Sequence, residues 1–389
     1  MIMNRPEREI WIDWMRVIAC FLVMVVHSTE PFYLGGEGSR ILTRTDAFWV
    51  SFFEMISRAC VPLFVIASSY LQFPIHYSTR EFLKRRAGRI LIPFFIWTVV
   101  YAIIWGEPAE NFEGLLLNFN YAAGHLWFVY MLIGLYLLMP LLSPWAEKVG
   151  KRELGIYLGI FAITTFIPYV REAFGGSAPV IYGPTGIPNP AHYPLWGEAS
   201  WNAYGLFYYF SGFIGYMLLG LWLLKFTGEL SWGRTFLCAG ACLVTGGILT
   251  FGGFYRRILA DAGTFPFEGP AGHAAIWETP ICNDTIGVLL MTVGTILLLR
   301  KINASGGFYR NAVLPASKAG YGMYLSHMVF LSVFAGLFRG WLGLGDAGKL
   351  GFWTTPAEIL LTALASFTCT AIACILVQKI PKVGKWIVG

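Results

Sequence analysis

Apolar residues in this chain come in long blocks rather than in amphipathic stripes or alternation. Ten blocks follow one another, roughly at 10–31, 46–72, 90–106, 125–145, 153–170, 201–226, 232–253, 282–300, 316–338 and 355–379. About 20 mostly apolar residues are enough for a helix to cross a bilayer. The pattern therefore predicts an all-α, polytopic membrane helix bundle of about ten transmembrane helices. The third and fifth blocks are short. Gly and Pro inside the blocks fit this reading, since neighbouring helices re-satisfy the freed backbone groups. No internal repeat and no low-complexity linker divides the chain, so one domain is expected over 1–389. Three connecting segments are long, at about 107–124, 171–200 and 254–281, and rich in Pro, Gly, Trp and Tyr. Their aromatics have two uses. They anchor at the membrane interface, or they form a lid over an outward-facing site, because aromatic faces stack on sugar rings.

Basic residues orient the blocks. With the N-terminus in the cytoplasm and strict alternation, nineteen Lys and Arg fall in cytoplasmic segments and seven in outer ones, while Arg16 and Arg58 lie within spans. Lys and Arg accumulate on the cytoplasmic side of membrane proteins. The asymmetry predicts an even number of spans with both termini cytoplasmic, in a multi-pass protein of the inner (plasma) membrane. The opening segment, MIMNRPEREIWIDWMR, carries Asp13 and Arg16 within its apolar stretch and shows no small-residue cleavage site. It is expected to remain as the first span rather than be removed as a signal peptide.

Composition narrows the classes further. Hydrophobic residues make up 56% and charged residues 13% of the chain, against about 45–50% and roughly 25% in soluble domains. Too little charge is present to clothe a water-exposed surface of this size. That excludes an ordinary soluble enzyme, a disordered chain and a nucleic-acid binder. The net charge of +6 reflects the topology rather than a polyanionic partner. The seven cysteines lie mostly in apolar runs, where Cys behaves as a small hydrophobe. No disulfide framework and no metal site is expected.

Ionisable side chains inside spans are costly and mark candidate sites. The first span carries Asp13, Arg16, His27 and Glu30. Arg16 and His27 are eleven residues apart, which at about 100° and 1.5 Å per residue puts them on one helix face, separated by about 16 Å. Asp13 lies one turn before Arg16 and Glu30 about one turn after His27, completing a polar stripe. An imidazole near neutrality suits a general base or nucleophile, with Glu30 orienting its other nitrogen. The segment TREFLKRRAGRILIP at 79–93 holds five cations, among them Arg85, Arg86 and Arg89. Arginine forks match phosphate oxygens, although such clusters also serve topology and lipid headgroups. His125 and Trp127 open the fourth block, and His327 lies within the ninth. These three are candidates for contact with an acceptor. Asn283 and Asp284, at the start of the eighth, read as helix caps.

The motifs IDWMRVIACFLVMVVH at 12–27, PLFVIASSYL at 62–71, KRRAGRILIPF at 84–94, HLWFVYMLIGLYLLMP at 125–140 and SKAGYGMYLSH at 317–327 together resemble the acyltransferase 3 family of integral membrane acyltransferases. The likeness is greatest to the stand-alone branch that O-acetylates surface polysaccharides and their precursors. It implies acetyl-CoA or another acyl-CoA as co-substrate, a hydroxyl of a glycan or lipid-linked glycan as acceptor, and no permanently bound cofactor. It also implies that Arg16 and His27 are essential and that Arg86 and Arg89 form the family's arginine motif. One departure is Ser68-Ser69, where the family usually has Ser-Gly before the aromatic; it puts close packing there in question. No second, hydrolase-like module is expected after the last span. Direct transfer and an acyl-histidine intermediate use the same residues and are both open. The competing class is a membrane transporter of acyl groups or glycans, which would also use ten spans and a polar stripe but would release no free CoA.

Overall fold

A computed structural model describes residues 8–34, 40–105, 123–170, 212–261, 273–343, 349–381 and 383–389. All regular elements among them are helical. The helices are α1 (Ile10–Thr29), α2 (Arg44–Ser57), α3 (Cys60–Gln72), α4 (Thr79–Arg86), α5 (Ile92–Ile104), α6 (Trp127–Lys148), α7 (Lys151–Thr164), α8 (Phe213–Phe226), α9 (Trp232–Asp261), α10 (Ile286–Leu299), α11 (Leu314–Leu342), α12 (Thr354–Gln378) and α13 (Gly384–Val388). Nine helical rods among the described residues are long and apolar enough to span a bilayer. The block expected at 201–226 is described only from 212 onward, where α8 is a mostly apolar helix of 14 residues. Large aliphatic side chains point outward on several rods: Leu141 is 75% exposed, Leu237 73% and Ile163 71%. In water such an exterior would be costly; in a bilayer it is the solvent-facing surface.

Helix α1 is central. It packs against α2, α3, α10, α11 and α12, so its polar stripe faces protein rather than lipid. The second span is two helices broken at Arg58-Ala59. Pro62 has no N–H to donate to the carbonyl of Arg58, which explains why the ladder breaks there. The third span is longer than the pattern predicted. Helix α4, N-capped by Ser78, continues through a π-turn at Ala87–Leu91 into α5, forming one rod over Thr79–Ile104. Arg85, Arg86 and Arg89 are therefore part of a helical rod, not of a loop beside it. A second π-turn, Tyr309–Val313, opens α11. Each is followed two residues later by a proline, Pro93 and Pro315. The missing proline N–H widens the hydrogen-bond ladder at both places.

Small residues set the closest helix contacts, as is usual between membrane helices. A Cβ on Gly246 of α9 would stand 2.8 Å from the carbonyl oxygen of Gly287 on α10. Between α3 and α8, a Cβ on Gly220 would stand 2.8 Å from that of Ser69, and Ser69 donates its hydroxyl to the Met217 carbonyl at 2.5 Å. Close packing at the Ser68-Ser69 motif is thus kept, with the glycine supplied by the facing helix.

Of the three aromatic connections, 107–122 and 171–200 lie outside the described residues. Of the third, 262–272 also lie outside them; on either side α9 runs on to Asp261 and His273–Ile281 forms a 3-10 helix. At the start of α10 the N-cap is Thr285, not Asn283 or Asp284.

Candidate active site

Arg16 and His27, on the shared face of α1, reach two different cavities. The larger, about 920 Å³, is lined by Arg16, Lys84, Arg85, Arg86, Arg89, Lys318 and Lys385, with Glu81 the one acidic side chain among its described lining residues. The rod through α4 and α5 supplies four of these cations, and α11 supplies Lys318. Lys385 arrives because α13 folds back on α5 and α11, where Trp97 donates its indole N–H to the Ile387 carbonyl at 2.9 Å.

Arg16 is free to serve this cavity because its neighbouring carboxylate is already committed. Asp13 accepts two hydrogen bonds from Arg8, at 2.5 and 2.8 Å, one from Tyr309 at 2.7 Å and one from Ser317 at 2.6 Å. Arg16 itself donates to the Ser317 hydroxyl at 3.3 Å. Arg86 donates to Gln72 at 2.7 Å, lies over the rings of Phe82 and Tyr136, and leaves its buried Nε without a partner. Arg89 stands exposed on the cavity wall. Arg85 is more committed, paired with Glu81 at 2.5 Å and stacked on Tyr77. A concave wall of guanidinium and ammonium groups with little acid to neutralise it is built for a polyanion such as a phosphate ester.

The second pocket, about 70 Å³, lies at the other end of the stripe. His27, Glu30, Arg58, His125, Trp127 and Asn283 line it, with Phe64, Phe128 and Tyr324. At the end of α1 the chain tightens into a 3-10 turn over Glu30–Phe32. The tightening sets the Glu30 carboxylate 2.5 Å from Nδ1 of His27. A carboxylate there holds the proton on Nδ1 and leaves Nε2 as the basic nitrogen. Two further imidazoles stand close by: the His27 ring centroid is 5.1 Å from that of His327 and 6.3 Å from that of His125. His327 donates Nδ1–H to the Tyr324 carbonyl at 2.6 Å. The Nε2 atoms of His125 and His327 are buried and unpartnered. Among the described residues no group of three His, Cys, Asp or Glu is arranged to hold a metal. Trp127 is 39% exposed and presents its ring at the pocket rim.

Sequence reading missed a charged cluster beside this pocket. Arg58 pairs with Glu54 at 2.5 Å and with Glu278 at 3.0 Å. The Tyr33 hydroxyl accepts from Arg58 at 2.8 Å and donates to Glu278 at 2.7 Å. Thr29, two residues after His27, donates its hydroxyl to the fully buried Glu54. The cluster ties α1, α2 and the 3-10 segment before α10 together around the histidine. The signal available was Glu54 and Arg58, an i,i+4 acid–base pair inside an apolar block.

Eight of the nine predicted site residues thus fall on one of the two cavities, and the ninth, His327, lies just behind the pocket wall, against His27. A base oriented by a carboxylate at one end of a helix, and a polycationic basin at the other, suit transfer of a group from a phosphate-bearing carrier to a hydroxyl. The sequence model of the acyltransferase 3 family, described as an acyltransferase domain, matches residues 9–377. Among proteins of curated function and among solved structures, none matches the chain. The match runs from the polar stripe of α1 nearly to the end of α12 and takes in every helix that lines the two cavities except α13, and the chain belongs to the acyltransferase 3 family of multi-pass membrane acyltransferases.

Proposed function

We propose that this protein is an O-acyltransferase that moves an acetyl group from acetyl-CoA, bound at the cytoplasmic side of the inner membrane, to a hydroxyl of a surface polysaccharide or a lipid-linked glycan precursor on the outer side. The observation that carries the reading is the division of one helix face between two cavities, Arg16 in the cationic basin and His27 in the small pocket. The charge asymmetry of the loops supports a cytoplasmic basin. Arg86, Arg89 and Arg16, with Lys318 and Lys385, hold the phosphates of CoA, while Arg85 adds charge at the rim. The flexible arm of CoA extends along α1 and brings the thioester carbonyl to His27.

There Nε2 of His27 takes the proton of the acceptor hydroxyl as its oxygen attacks the carbonyl. The new C–O bond forms, the C–S bond breaks, and the CoA thiolate receives the proton, leaving an ester and free CoA. Glu30 holds the ring and balances the imidazolium while it lasts. Trp127 and His125 line the acceptor side, and His327 packs behind the base.

The test is acceptor-dependent release of free CoA by the purified protein. It should occur with acetyl-CoA and cell-surface glycans, yield an O-acetyl ester on the glycan, and disappear in His27→Ala. Release of no CoA with any acceptor, or undiminished transfer by His27→Ala, would contradict the reading.

A further inference from the structure

The two cavities are separated by very little. Both are lined by the same three aromatic side chains, Phe64 of α3, Phe128 of α6 and Tyr324 of α11. The ring centroids of Phe64 and Phe128 are 5.9 Å apart, and those of Phe128 and Tyr324 5.0 Å. Behind them, between Cys20, Met24 and His327, the remaining gap has no room for a water molecule. Tyr324 is fixed by donating its hydroxyl to the His125 carbonyl. Phe128 is 6% exposed. Three helices, α3, α6 and α11, thus each contribute one ring to a common partition.

We propose that Phe64, Phe128 and Tyr324 form a closed septum between the donor and acceptor cavities, and that passage between these rings selects the size of the acyl group. The inference rests on the transferase reading above and adds to it the element that decides the donor. On that reading the phosphates of CoA stay in the basin while the thioester must reach His27 on the far side of the rings. Closed, the septum keeps bulk water from an activated carbonyl beside a base, where water would otherwise compete with the acceptor. Opening requires rotation of one or two aromatic side chains and admits a slender arm. A two-carbon acyl group passes and fits the about 70 Å³ beyond; a long chain meets the rings and the small pocket together. Phe64 and Phe128 carry no hydrogen-bonding group, so their part is steric, whereas Tyr324 is also the strut that holds the His125 backbone.

The experiment compares acetyl-CoA with hexanoyl-CoA in one preparation of each variant, reading acceptor-dependent CoA release, so that differences in yield cancel in the ratio. Phe64→Ala and Phe128→Ala should raise the hexanoyl-to-acetyl ratio at least about tenfold, the effect expected when a steric discrimination of roughly 1.4 kcal/mol is removed. Both should also raise acyl-CoA hydrolysis in the absence of acceptor. Phe64→Leu and Phe128→Leu, which disturb packing less, should move both readouts in the same direction by smaller factors. An unchanged ratio in variants that still transfer acetyl, or equal loss of transfer from both donors in the leucine variants, would overturn the septum and assign the rings to packing. Wild-type protein that releases CoA from neither donor would instead overturn the transferase reading on which the septum rests.

Discussion

Glu30 occupies one nitrogen of His27 and leaves the other to the pocket, and the proposed chemistry is assigned to that second nitrogen. His27→Ala should insert and fold yet lose acyl transfer by at least about a hundredfold. Glu30→Ala should keep a weaker base and lose less, about tenfold or more, measured as acceptor-dependent CoA release at equal protein. Arg58 predicts a different phenotype. It neutralises Glu54, which is fully buried, and Glu278. Removing one partner of a buried pair costs about 3–5 kcal/mol. Arg58→Ala should therefore lower the thermal midpoint in detergent far more than His27→Ala does; equal midpoints would make the cluster dispensable for folding. The His27 and Arg16 pairing was legible in the sequence because α1 is a single unbroken helix, so periodicity alone gives the shared face. The Arg58 to Glu278 contact was not, since it joins residues 220 apart in sequence. His125 and His327 were visible as residues but not as neighbours of His27. Only the packing of α6 and α11 brings them together.

At the scale of elements, the rod through α4 and α5 has the most direct consequence. Its cations were expected to flank a span, and the structure places them, with the π-turn, within one continuous helix. The misplacement is physical. Lys and Arg depress a hydropathy average, but their long stems let them lie along a helix while their charges reach an aqueous cavity. On the proposed donor site, replacing Arg86 and Arg89 together by Ala should weaken acetyl-CoA binding more than acceptor binding. Raising the salt concentration should reproduce part of that loss in the parent protein, because the charges in an open cavity are screened. Unchanged acetyl-CoA affinity in the double variant, measured by equilibrium binding, would return these arginines to a topological role. Lys318 and Lys385 were legible only as charges at or beyond span ends. Their place in the basin depends on how α11 and α13 dock, which no local pattern encodes.

Across the whole molecule, two independent lines run in the same direction. The loops of the chain are asymmetric in charge, and the cations of residues 84–89 meet Lys318 and Lys385 at one end of the bundle. Helix α1 then carries the polar stripe from that basin to the histidine pocket, a rise of about 16 Å between Arg16 and His27. An acyl group loaded at the basin and released at the pocket has crossed much of an apolar core about 30 Å thick. Transfer across the membrane is the central claim, and sealed vesicles holding the protein in one known orientation test it most directly. Acetyl-CoA is supplied only on the side of residues 80–89, and the glycan acceptor is confined to the other side. The account predicts acetylated acceptor across the intact bilayer, with free CoA appearing on the donor side and no labelling when His27→Ala replaces the parent protein. Labelling only when donor and acceptor share the side of residues 80–89 would contradict it.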